Sequence, residues 1–275
     1  MQESFDRALF CFTDDTGKEI RAAASKQGGD SKLQDILGDF RKRMRANPEN
    51  IQSLTQALAM DAAGNLEADL LADLYNPAAR GSFTAFLHGR KHSDLRFAVK
   101  PRGALPSLSP EEAALINVDP GAEQEAIRYL SHQLSELQKG TASSEEDTRV
   151  VEGAEYRIET VIGKNDHLAA TSTITLRAVT DGDRVIPFDL LPTLRVTRAS
   201  MGGQDVPFVQ EDRRHDGSFY LILPQPLKKG AEQQVVIEYQ GDRWFAMPAA
   251  ATSASARGRI GIPISTPSSI TPGTT

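Results

Sequence analysis

Between Glu155 and Asp242 apolar residues recur at every second position in short runs separated by turn residues. A period of two is the repeat of a strand with one buried face, so this stretch has to be accommodated as sheet. Tyr156, Ile158 and Ile162 alternate with polar residues, as do Ile174 and Leu176 with Thr171, Thr173 and Thr175. The pattern predicts strands at 156–162, 168–179, 185–190, 194–200, 219–223 and 234–239. Gly163-Lys164-Asn165-Asp166, Asp181-Gly182-Asp183, Gly202-Gly203 and Lys229-Gly230 supply the turns between them. Six or more short strands joined in this way favour an antiparallel β-sandwich or a barrel-like sheet. Its core is expected to take Tyr156, Ile158, Ile174, Leu176, Leu221, Leu223, Val235 and Ile237. The alternation stops abruptly after Asp242. From Arg243 the chain turns to Ala, Ser, Thr, Pro and Gly without a core pattern, and residues 243–275 are expected to be a disordered tail.

Upstream the period changes, which gives an α+β class for the whole. Leu33, Ile36, Leu37, Phe40 and Met44 recur at three and four residues, one helix face, with Asp30-Ser31 before them and Asn47-Pro48 after. Ile51, Leu54, Leu58 and Met60 suggest a second, short helix, and Leu66, Leu70, Leu71 and Leu74 a third, so residues 1–80 read as mainly helical. Phe83–Leu87 and Leu95–Val99 flank a polar link and predict a hairpin, and 113–118 predicts a strand. Residues 126–137 suit strand or helix equally. The polar stretch Lys139–Asp147 is the best boundary. The expected division is a mixed helical and strand region at 1–138, a linker at 139–152, the β-sandwich at 153–242 and the tail at 243–275.

The chemistry is sparse. A net charge of −6 argues against nucleic acid, and the one basic run, Arg41-Lys42-Arg43-Met44-Arg45, reads as a solvated helix face. Cys11 is the only cysteine, so neither an internal disulfide nor a cysteine-rich zinc site can form. No apolar run has the length of a membrane span, and Met1–Asp6 lacks the basic and apolar regions of a secretion signal, so a soluble chain without a leader is expected; its compartment is left open. His88 and His92 have zinc-ligand spacing, but Gly89 stands where a metallopeptidase needs its glutamate, and Arg90 and Lys91 would repel a cation. Glu111-Glu112, Glu145-Glu146-Asp147 and Glu211-Asp212 read as solvated surface, and His132, His167 and His215 have no evident partners. The expectation is therefore no catalytic, cofactor-binding or metal-binding residue in this chain.

The β region resembles the N-terminal, non-catalytic β-domain of aminopeptidase N-like zinc metallopeptidases. The resemblance lies in an order of features: Tyr156-Arg157-Ile158, then 170–176, then Ile186-Pro187-Phe188-Asp189-Leu190 and Leu194-Arg195-Val196, then Phe219–Pro224. Pro226-Leu227-Lys228-Lys229-Gly230 then leads into Val235-Val236-Ile237-Glu238-Tyr239-Gln240-Gly241-Asp242. It covers about residues 153–242. In the family, zinc and the His-Glu-x-x-His and Gly-Ala-Met-Glu-Asn-like motifs belong to a later catalytic domain, and neither motif occurs here. The resemblance thus implies a non-catalytic fragment without zinc of its own. Its natural partner would be the missing catalytic domain, and self-association is possible through the surface left bare. The tail fits a frame change near Arg243. Read one frame over, 246–253 permits Asn-Ala-Gly-Gly-Gly-Asn-Phe and 257–267 permits Arg-Glu-Asn-Trp-Tyr-Pro-Asn, which is similar to the family's continuation. The alternative is a stand-alone β-sandwich interaction module; an enzyme with its site in 81–140 is a third reading.

Overall fold

A computed structural model of the chain describes residues 3–24, 32–44, 66–92, 94–105, 110–117, 127–143, 149–211, 216–242 and 260–262. The molecule is built mostly from antiparallel strands. The stretch that alternates with period two forms two sheets. In the first, β6 (Val151–Ile162), β7 (Leu168–Ala178), β9 (Leu194–Met201), β10 (Gln204–Asp205) and β13 (Glu232–Gly241) lie in the order β10-β9-β13-β7-β6. In the second, β8 (Val185–Asp189), β11 (Phe208–Val209), β12 (Phe219–Ile222) and β14 (Ile260–Gly261) lie in the order β11-β12-β8-β14. Ile174 and Leu176 of β7, Val235 and Ile237 of β13, Ile186 and Phe188 of β8, and Phe219 and Leu221 of β12 share one continuous apolar core. Phe188 and Phe219 stack at its centre, with ring centroids 5.1 Å apart. Burying residues of this size stabilises by about 1.5–3 kcal/mol each, which is why the alternation decides register so firmly.

Two expectations fail here. Tyr156 and Ile158 lie opposite Ile174 and Ser172, so the parity holds and they do point to the core side. Yet Tyr156 is 36% exposed and Ile162, on the same face, 42%. β6 is the outermost strand of its sheet, and the second sheet ends on that side with the two residues of β14. The tail departs from disorder at Ile260–Ile262. Ile260 pairs in parallel with Phe188, the Ile262 amide bonds the Asp189 carbonyl, and both isoleucines are buried in the core. Two isoleucines flanking one glycine are too short a run for periodicity to detect; burial against β8 supplies the order.

The N-terminal region is less helical than its apolar spacing suggests. It contains α1 (Thr16–Ala23), α2 (Leu33–Met44) and α3 (Leu66–Tyr75). Its centre, however, is a five-stranded antiparallel meander of β1 (Phe5–Phe12), β2 (Phe83–Gly89), β3 (Leu95–Val99), β4 (Ala113–Asn117) and β5 (Ile127–Ser131). A mainly helical reading of 1–80 leaves no place for β1; three phenylalanines in eight residues are its signal, and the full length of β2 gives it a partner. The predicted hairpin is β2–β3, and the ambiguous 126–137 supplies both β5 and the short helix α4 (Leu134–Lys139). The expected helix over 51–60 lies outside the described residues. Phe40 of α2 packs on Phe86, as its spacing predicts.

Helix α3 joins the two regions. Leu70 packs toward the Phe40–Phe86 cluster of the meander, while Leu71 and Ala72 pack with Val185 and Tyr220 of the second sheet; Leu74 is exposed, against expectation. Asp69 and Asp73, one turn apart, face β3. Arg96 Nη2 stands 3.5 Å from Asp69 Oδ2, and Lys100 Nζ 2.9 Å from Asp73 Oδ2. Tyr220 Oη donates to Asp69 Oδ1 at 2.9 Å from the other side. Just beyond the helix, Asn76 accepts the amides of Arg184 and Val185 and donates to the Val185 carbonyl, each at 2.9 Å. This pins α3 to the start of β8.

Candidate interaction surface

The structure gives the sequence-predicted polar residues separate, mostly local tasks. His88 sits on β2 with Nδ1 3.9 Å from Asp94, and His92 lies in the following turn with Nε2 4.0 Å from Glu3. The two imidazoles thus address different carboxylates. Glu3 is a backbone clamp: it accepts the amides of Ser4, Arg90, Lys91 and His92 at 2.8–3.3 Å. Burial pulls its carboxyl upward, but the four amides together outweigh this and hold it below the usual carboxylate range. Among the described residues, no group of three or more His, Cys, Asp or Glu side chains could hold a metal ion.

Two acidic groups expected on the surface are buried instead. Glu112 bonds His132 Nδ1 at 3.0 Å and the Gln133 amide at 2.9 Å, tying the start of β4 to the segment after β5. Glu211 accepts the Glu67 amide at 3.1 Å, satisfying a donor in the first turn of α3. Both partners are far away in sequence, so no local pattern marks them. Glu145-Glu146-Asp147, Asp212 and His215 lie outside the described residues. Cys11 is half-buried, and burial, then Asp73, pushes its thiol up, which makes it a poor nucleophile.

The end of β13 carries an open cleft with a hydrogen-bonded imidazole. It measures about 480 Å³ and is lined by His167, Pro192, Thr193, Arg195, Gln240, Gly241 and Asp242. His167 Nδ1 lies 2.7 Å from Asp242 Oδ1, joining the β6–β7 turn to the last residue of the alternating stretch. Arg195 Nη1 donates to the carbonyls of Pro192 and Leu194, each at 2.8 Å. A Cβ on Gly241 would stand 2.1 Å from the Thr193 carbonyl oxygen, so glycine is required where β13 passes this loop. An imidazole oriented by a carboxylate can serve as a base only toward a nucleophile on its other nitrogen. The cleft lining offers no thiol, and Thr193 is its one hydroxyl residue; what the pair does in the structure is tether the β6–β7 turn to the end of β13.

The surface best suited to a partner is the outer side of β6. The strand is twelve residues long and among the described residues pairs only with β7. Val161 is 70% exposed. Tyr156, Ile158 and Ile162 continue the apolar face of the sheet beyond the edge of its opposing sheet. An apolar sheet face next to unpaired backbone groups is the usual anatomy of a β-addition site.

No family model matches the chain, and no curated protein matches it. Solved structures similar to part of it include an M1 zinc metallopeptidase from Deinococcus radiodurans, at 28% identity over 35% of this chain and 21% of that one, with a TM-score of 0.30. A two-domain M1 zinc metallopeptidase mutant bound to L-tryptophan is 27% identical over 34% of this chain and 21% of its own, with a TM-score of 0.31. A Deinococcus radiodurans M1 mutant bound to a Tyr-Ser-Ala substrate is 25% identical over 36% and 22%, with a TM-score of 0.31. The chain spans about a fifth of the length of these structures, and the similarity is a distant structural one. Among the described residues no helix is long and apolar enough to cross a membrane.

Proposed function

We propose that residues 151–242 are an N-terminal, non-catalytic β-sandwich domain of the aminopeptidase N-like, M1 zinc metallopeptidase type, and that this chain hydrolyses no peptide by itself. The supporting observation is that the residues carrying the sequence resemblance hold demanding positions. After the turn at Lys228–Gly230, β13 enters between β7 and β9. Tyr239 is buried with its hydroxyl 3.2 Å from Ser172 Oγ, and Gly241 has no room for a side chain. Tyr-x-Gly thus closes a central strand under tight local constraints, which supports the reading. In this reading the domain packs beside a zinc-bearing catalytic domain, its missing partner, and the zinc ligands belong to that domain.

The reading is tested by metal analysis and aminoacyl-anilide hydrolysis on the purified chain, together with the DNA sequence downstream of codon 242. We expect no stoichiometric zinc, no turnover, and a frame encoding His-Glu-x-x-His in the DNA downstream of codon 242. Tight one-to-one zinc or zinc-dependent turnover overturns the non-catalytic assignment. A verified locus with no such frame favours the second reading, a stand-alone interaction module. The open edge of β6 favours that reading independently.

A further inference from the structure

We propose that the outer edge of β6 binds a second copy of this chain, the two β6 strands pairing antiparallel about Ile158 so that the two five-stranded sheets become one. The inference goes beyond the assignment as a peptidase domain and does not depend on it.

Three features of the strand select this occupant. The first is the edge, which among the described residues pairs only with β7 and is free on its other side. Edges are commonly protected by proline, by charged side chains, lysine above all, or by a bulge, and the charges of this edge, Glu155, Arg157 and Glu159, are of both signs. The single irregularity of β6 falls between Gly153 and Glu155, and the regular stretch that follows, Glu155 to Ile162, contains neither proline nor lysine. The second is the apolar face. Tyr156, Ile158 and Ile162 are on the core side of the sheet and only partly covered, so a continuing sheet would extend that face over both copies.

The third feature is charge, which fixes both partner and register. The opposite face of the regular stretch reads Glu155, Arg157, Glu159, Val161, with Arg157 and Glu159 largely exposed. In a two-fold antiparallel pair each residue meets its mirror position, and directly opposed residues share a face. Pairing about Arg157 sets Arg157 against Arg157 and Glu155 against Glu159. Pairing about Glu159 sets Glu159 against Glu159. Pairing about Tyr156 drives the partner into the bulge. Pairing about Ile158 uses Glu155 to Val161 and leaves only Ile162 opposite Ala154 at the irregularity. It places Arg157 against Glu159 twice, Ile158 against Ile158, and Tyr156 against Thr160. Only this register matches unlike charges across the unbulged strand, and like charges directly opposed are destabilising.

The test is sedimentation of the full chain over a concentration series, with far-UV circular dichroism confirming that each variant is folded. The wild type should be a reversible dimer. Arg157→Glu and Glu159→Arg, each alone, oppose like charges twice and should weaken the dimer by about tenfold or more. Mixed together, the two variants should recover a heterodimer. One strand then carries two carboxylates at these positions and the other two guanidinium groups, so unlike charges again face each other at both contacts. Ile158→Lys, which sets two ammonium groups on the two-fold axis, should give a monomer. If it fails to fold, the mixing experiment decides alone. A monomeric wild type at the highest concentration reached overturns the proposal. So does a dimer indifferent to the single charge reversals, or a mixture that fails to re-associate.

Discussion

The two regions of the molecule reach order by different means. Residues 151–242, with Ile260–Ile262, close two sheets over one continuous apolar core. The N-terminal region spreads its apolar burial over small separate clusters, around Phe40 and Phe86 and around Leu105 and Ile116. It adds buried ion pairs at α3, where Arg96, Lys100 and Asp73 are almost fully buried. An apolar core gains with every residue it buries, whereas a buried ion pair roughly offsets its own desolvation and is costly chiefly when one partner is lost. The first region should therefore be robust, and the second should be conditional on its docking through α3.

The sharpest contrast lies within β7. Ile174 is fully buried between the sheets, and Thr173 is on the other face. Ile174→Asp should cost about 4 kcal/mol or more and unfold the chain, while Thr173→Asp should cost under about 1 kcal/mol, both read from urea denaturation. Equal effects would mean that the sheets do not share a dry core. Asp73→Asn probes the other region. It leaves Lys100 buried without its anion and should cost about 3 kcal/mol, whereas removing both charges in Asp73→Leu/Lys100→Met should recover most of it. A double variant as damaged as the single one would show that the ion pair is not the issue.

Ile260→Ala asks whether the tail belongs to the core. A loss of about 2 kcal/mol is expected from its burial beside Phe188, and no loss would return the tail to the disordered state that its composition suggests. The smallest effect is at Glu3. Its carboxyl is held low in the folded chain, so its stabilisation is present above the ordinary carboxylate range and is lost as pH falls through the lowered value. The melting temperature of Glu3→Gln should lie below wild type at pH 7, and the gap should close in acid, once the carboxyl is protonated in both the folded and the unfolded chain. A gap that persists there would assign the effect to packing.

How much is legible in the sequence follows the same divide. Alternation over 156–162, 168–179 and 234–239 discloses the strands, their buried faces and Ile174, Leu176, Val235 and Ile237, because burial on one face imposes a repeat on the sequence itself. It cannot disclose where the opposing sheet ends, so it assigns Tyr156 a cover it lacks and Ile158 a fuller one than it has. The partners of Glu112, Glu211, Asp69 and Asp73 are illegible for a related reason. Each meets its partner across a long sequence separation, or opposite a strand whose own face the sequence leaves open. Tyr239 and Gly241 stand out only by resemblance, and their physical reasons, a buried hydroxyl and a carbonyl with no clearance, are visible only in three dimensions.

The claim that the two-sheet region is the stable unit and the meander its dependent is tested most directly by native-state hydrogen exchange on the full chain, resolved by segment. The amides of β7 and β13 should be the last to exchange, with β2 and β3 opening earlier and at lower free energy. Exchange of β2 and β3 as slow as that of β7 and β13, in one cooperative event, would contradict the account.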